Sequence, residues 1–125
     1  MTILVTGATG TVGRHVTEQL ARRGVPVRAL TRNPGRARTI LPDGVEIVAG
    51  DLMRPDTLRE AVKDAEAMFL IVSSDEPQAD LDTDPQVVRL AADAGVKRVV
   101  VLVGFEEGRV EEAVRESGME WTLLK

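Results

Sequence analysis

The opening of the chain constrains its fold more than any other stretch. Ile3-Leu4-Val5-Thr6 is an apolar strand candidate that runs straight into Gly7-Ala8-Thr9-Gly10-Thr11-Val12-Gly13, and Arg14 to Leu20 then carries helix-like spacing. Glycine at such a turn opens backbone angles closed to other residues and leaves room where a Cβ would collide. The first N–H groups of a helix have no internal partner, and with the helix dipole they favour an anion. The pattern therefore predicts a nucleotide pyrophosphate held against Gly7, Thr9, Gly10, Thr11, Val12 and Gly13. These glycines are evenly spaced rather than following G-x-G-x-x-G, and the signal gains its specificity from lying between an apolar strand and a helix.

The remainder alternates strand and helix signals. Strands are expected at 25–30, 45–49, 67–72, 98–103 and 119–124, and helices at 36–41, 56–62, 85–94 and 106–117. The strand at 67–72 is apolar throughout, as a strand buried on both faces of a parallel sheet should be. Together with the opening unit, this alternation predicts an α/β fold: a doubly wound parallel (Rossmann) sheet of six strands in the order 3-2-1-4-5-6, with helices on both faces. In such sheets a ligand lies beyond the carboxyl ends of the strands, where the order switches between strands one and four. That gathers Gly7 to Val12, Arg32, Asp51, Leu52, Val72 and Ser73 around one crevice. Where strand two ends, a site for NAD would usually place an acid on the ribose 2′-hydroxyl. The chain has Thr31-Arg32-Asn33 there instead. A guanidinium suits a 2′-phosphate, so NADP(H) is the expected preference, with NAD(H) as the other possible ligand.

The run Val5-Thr6-Gly7-Ala8-Thr9-Gly10-Thr11-Val12-Gly13 resembles the nucleotide loop of the extended and atypical short-chain dehydrogenase/reductases, specifically the NmrA-like NAD(P)-binding proteins. Val27 to Pro34, Gly50-Asp51-Leu52, Gly95 to Val100 and Ser117 to Leu124 resemble that family's landmarks in its order, over nearly the whole chain. The resemblance implies that Arg32 selects NADP, that Asp51 accepts from the adenine amino group and that Leu52 covers the ring. It also implies a missing part: family members continue past strand six into a substrate-binding portion, whereas here the sequence runs to Lys125.

Composition bounds the alternatives. A chain of 125 residues with 43% hydrophobic content is expected to form one domain, 1–125, with its own core. A net charge of −4 gives no direct signal for nucleic acid or an anionic membrane. Cysteine is absent, which excludes disulfides and thiol chemistry. With no basic leader or membrane-length apolar run, the expectation is a cytoplasmic protein. Asp80, Asp82 and Asp84 alternate like the start of a calcium loop but lack its glycine and its final acid, so an EF-hand is rejected. Glu106, Glu107, Glu111 and Glu112 read as a solvated helix start, Trp121 as core, and His15 as a poor ligand or base; no metal site is expected.

Tyrosine is also absent, so the Tyr-x-x-x-Lys acid/base pair of typical short-chain reductases is missing and no catalytic residue is assigned. The first functional reading is an NADP(H)-binding module without a complete acid/base site, whether redox-sensing, regulatory or a truncated reductase. The alternative is an NAD(P)H-dependent oxidoreductase for a quinone-like or small carbonyl acceptor, since the cofactor carries the hydride chemistry. An uncovered sixth strand at the sheet edge suggests a homodimer.

Overall fold

The computed structural model describes residues 2–72, 82–103 and 107–124. One sheet contains β1 (Thr2–Val5), β2 (Val27–Thr31), β3 (Glu46–Ala49), β4 (Ala65–Ile71), β5 (Arg98–Leu102) and β6 (Glu120–Leu124). Every neighbouring pair is parallel and the order is β3-β2-β1-β4-β5-β6. The doubly wound plan is therefore present with its switch between β1 and β4, and all strand ends that follow β1 to β5 open on one edge.

Helices α1 (Thr11–Arg22), α2 (Pro34–Ile40), α3 (Arg59–Val62), α4 (Gln86–Asp93) and α5 (Arg109–Glu116) form the crossovers, α3 being entered through a 3-10 turn at Pro55–Leu58. Alternation along the strands divides the apolar side chains between two cores. Leu4, Met68, Leu70, Val99 and Val101 meet Val62, Val87, Val88 and Val114 from α3, α4 and α5. Val5, Ala29 and Phe69 meet Val16, Leu20 and Ala37 from α1 and α2. Burial of both faces is why the central strands read as continuous apolar runs rather than as alternating ones.

Local chemistry moves several boundaries. Helix α2 starts at Pro34 rather than at 36, because Asn33 Oδ1 accepts the Arg36 N–H at 3.1 Å and proline suits the first helical position. The expected helix at 56–62 is split by the 3-10 turn, and α5 begins at Arg109, not 106. Trp121 is not core: it is half exposed on the edge strand β6, with the Arg115 guanidinium 5.5 Å from its ring centroid. Arg28 joins three elements. It donates to Glu46 Oε2 on β3 at 2.8 Å and to the carbonyls of Ala61 and Lys63 at the end of α3, at 2.7 and 2.6 Å. Those carbonyls belong to a last helical turn that has no intrahelical donors for them. No helix among the described residues is long and apolar enough to cross a membrane.

Candidate dinucleotide site

The glycine loop is fixed from below and tightened from within. Ala8 is fully buried and anchors the loop in the core beneath α1 and α2. The Gly10 N–H donates to the Gly7 carbonyl at 2.9 Å, closing a turn in which Gly7 has φ +59°. A Cβ added at Gly13 would fall 2.1 Å from that same carbonyl oxygen, so the first turn of α1 rests on loop backbone. Helix α1 carries no side-chain cap and no acid in its first turn. Its leading N–H groups, at Thr11, Val12 and Gly13, are thus presented to the crevice without a competing carboxylate. Thr9 and Gly10 are half-buried, while Thr11 and Val12 are exposed. A loop packed so closely that a Cβ would strike its own backbone, leading into an uncapped helix start, fits a pyrophosphate.

A second layer holds this loop to β4. Thr6 is fully buried; its Oγ1 donates to the Phe69 carbonyl at 2.9 Å and accepts the Ile71 N–H at 3.0 Å. The hydroxyl extends the β1–β4 ladder one step past the strand. Thr83, also buried, donates to the Ile71 carbonyl at 2.8 Å, and its N–H donates to the Val72 carbonyl at 3.1 Å. The end of β4 is therefore clasped by two threonines.

Around this centre the other expected residues follow their strand ends. Arg32 is exposed directly after β2, in a turn held on both sides: the Asn33 N–H donates to Thr31 Oγ1 at 3.0 Å, and Asn33 caps α2. Asp51 follows β3, with its N–H donating to Thr57 Oγ1 at 2.9 Å and its Oδ1 accepting the Met53 N–H at 2.9 Å. Leu52 turns inward and is buried in the core of the α3–α5 side, while its carbonyl accepts the Asp84 N–H at 3.0 Å. The apolar side chain exposed at this turn is that of Met53. Val72 is partly buried at the end of β4, and Ser73 lies outside the described residues. Gly7 to Gly13, Arg32, Asp51 and Val72 thus share the carboxyl edge of the sheet. His15 stands on the exposed side of α1 beside Glu18.

Sequence reasoning missed Thr6, Thr83 and Glu111. Glu111 was expected on a solvated face, yet it is fully buried, with Oε2 accepting the Gly108 N–H at 2.9 Å. Only the glutamate half of a capping box is present, because Gly108 has no side chain to return the bond, and so the sequence lacked the usual Ser/Thr signal. Among the described residues no group of three or more acids and histidines is placed to hold a metal.

Residues 7–108 match the family model described as NAD(P)H-binding. The chain belongs to that family. Among relatives, a (4-alkanoyl-5-oxo-2,5-dihydrofuran-3-yl)methyl phosphate reductase of Streptomyces griseus is 40% identical over 98% of this chain and 46% of its own length. Among solved structures, the Citrobacter sp. triphenylmethane reductase complexed with NADP(H) superposes with a TM-score of 0.76 at 30% identity, over 98% of this chain and 48% of that one. The NADPH-dependent quinone oxidoreductase of Escherichia coli, complexed with NADPH, gives 0.77 at 27% identity, over 97% and 47%. This NAD(P)H-binding chain spans about half the length of the curated relatives it matches.

Proposed function

We propose that the chain is the cofactor half of an NADPH-dependent reductase and that it binds NADP(H) in preference to NAD(H). The observation that carries this reading is the exposed Arg32, set between Thr31 and the α2 cap on the same edge as the uncapped start of α1, where an NAD site would place an acid. Gly7, Gly10 and Gly13 keep the loop low, the N–H groups of Thr11 to Gly13 receive the pyrophosphate, and Arg32 pairs with the 2′-phosphate. Asp51 receives the adenine amino group. Thr6 and Thr83 hold the end of β4 beside the crevice. When bound, the cofactor supplies hydride; the chain binds and orients it.

The acceptor chemistry follows from what the residues lack. Protonating a developing alkoxide requires a donor within hydrogen-bond reach. The sequence has no tyrosine, and His15 is exposed on the surface of α1. The chain by itself therefore reduces carbonyls slowly. An acceptor with less need of a protein acid, such as a quinone, is the second reading, supported by the likeness to the quinone oxidoreductase. NADPH consumption with aldehydes, ketones and quinones tests both. Carbonyl turnover of about 1 per second or more contradicts the slow-carbonyl reading, and turnover confined to quinones favours the second.

A further inference from the structure

The two faces of the sheet are covered unequally. Helices α3, α4 and α5 pack on one face; α1 and α2 pack on the other, where no helix among the described residues lies over β5 and β6. The register shows where that cover stops. Ile71, Leu102 and Leu124 form one row across β4, β5 and β6; Phe69, Val100 and Thr122 form the next, and Arg98 stands beside Glu120 in the last. Phe69 is buried with α1, Val100 and Leu102 are only partly buried, and Thr122 and Leu124 are exposed. Arg98 and Glu120, both exposed, pair at 3.1 Å. The open strip is thus two strands, or about 10 Å, wide, apolar at its carboxyl end and charged at its amino end. Side chains alternate along a strand, so Trp121, with Arg115 over its ring, belongs to the opposite face.

We propose that this strip binds the same strip of a second copy of the chain, about a two-fold axis that runs along the strands between β5 and β6. The register sets the orientation. Such an axis lays β5 over β6 of the second copy, which puts Arg98 over Glu120, Val100 over Thr122 and Leu102 over Leu124, each pair occurring twice. An axis across the strands would instead set both charged residues on leucines, desolvating them without a partner. Stacked sheets lie about 10 Å apart with their strands within about 30° of each other, and a helix is about as thick. Each α1 therefore stands alongside the edge of the second copy's β6 and covers its unpaired backbone groups. The inference goes beyond the reductase reading and does not depend on it: both carboxyl edges lie at one end of the pair, clear of the contact.

The test is charge exchange in the full chain, read as mass by light scattering across a concentration series. The unmodified chain should reach a dimer. Arg98→Glu makes the charged end of the strip doubly negative and Glu120→Arg makes it doubly positive, so each alone sets like charges across the contact and weakens self-association about tenfold or more. An equimolar mixture of the two restores opposite charges, and native mass spectrometry should show the mixed dimer. The two side chains are 67% and 78% exposed, so circular dichroism stays that of the unmodified chain. Leu124→Asp, also at an exposed position, weakens association in the same direction and carries the test if a charge variant fails to fold. Trp121→Ala, on the opposite face, leaves association unchanged. Charge variants that associate as before, a mixture that stays monomeric, or a dimer lost in Trp121→Ala overturns the proposal. So does an unmodified chain that is monomeric at every concentration, which leaves the strip to another occupant.

Discussion

The Cβ position of Gly13 lies 2.1 Å from the carbonyl oxygen of Gly7. The Gly7 side is tightly packed: Gly7 sits at φ +59°, and a Cβ on it would meet Ile71 Cδ1 at 2.3 Å. Gly13→Ala must therefore push α1 off the loop and displace the N–H groups of its first turn. The expected result is a loss of about tenfold or more in affinity for NADPH and NADH alike, measured by calorimetric titration, because the pyrophosphate is common to both.

Arg32 acts on one cofactor only. A hydrogen bond to a charged group is worth about 1.5 to 3 kcal/mol, so Arg32→Ala reduces the preference for NADPH over NADH roughly ten- to a hundredfold. Comparative titrations check this. NADH affinity changes little, since the ribose 2′-hydroxyl offers the guanidinium no charge.

Thr6 tests the clasp on β4. Thr6→Val keeps the shape but deprives the partly buried Ile71 N–H of its acceptor, at a cost of about 1 to 3 kcal/mol in unfolding free energy by urea titration. Thr6→Ser keeps both hydrogen bonds and should lose much less.

Self-association is expected of the 125-residue chain. Strand β6 lies at the sheet edge, with Trp121 and Leu124 both half exposed on it. Light scattering across a concentration series should give a mass rising towards a dimer, and a constant monomer mass contradicts the expectation.

What the sequence made legible was local. The strand-glycine-helix start, the apolar runs of β4 and β5 and the position of Arg32 after β2 each depend on near neighbours, and the sheet order follows from alternation together with handedness. Roles set by distant partners were hidden. The Thr6 hydroxyl meets a carbonyl 63 residues away, and no pattern around Thr6 announces it. Glu111 looked solvated because its neighbours are acidic, whereas the turn of α5 aims it inward to cap its own helix. At Leu52 the apolar residue turned into the core and left Met53 at the surface. One residue's phase along a tight turn decides between them.

The central claim is that a dinucleotide lies along the carboxyl edge of the sheet, against the start of α1. Backbone amide NMR during an NADPH titration tests it most directly in a chain of 13.5 kDa. Saturable shifts are predicted at Gly10 to Gly13, Arg32 and Asp51 to Met53, with the opposite-edge turns at Gly24, Gly95 and Gly118 unmoved. Shifts clustered at those opposite turns, or no saturable shift at all, would contradict the account.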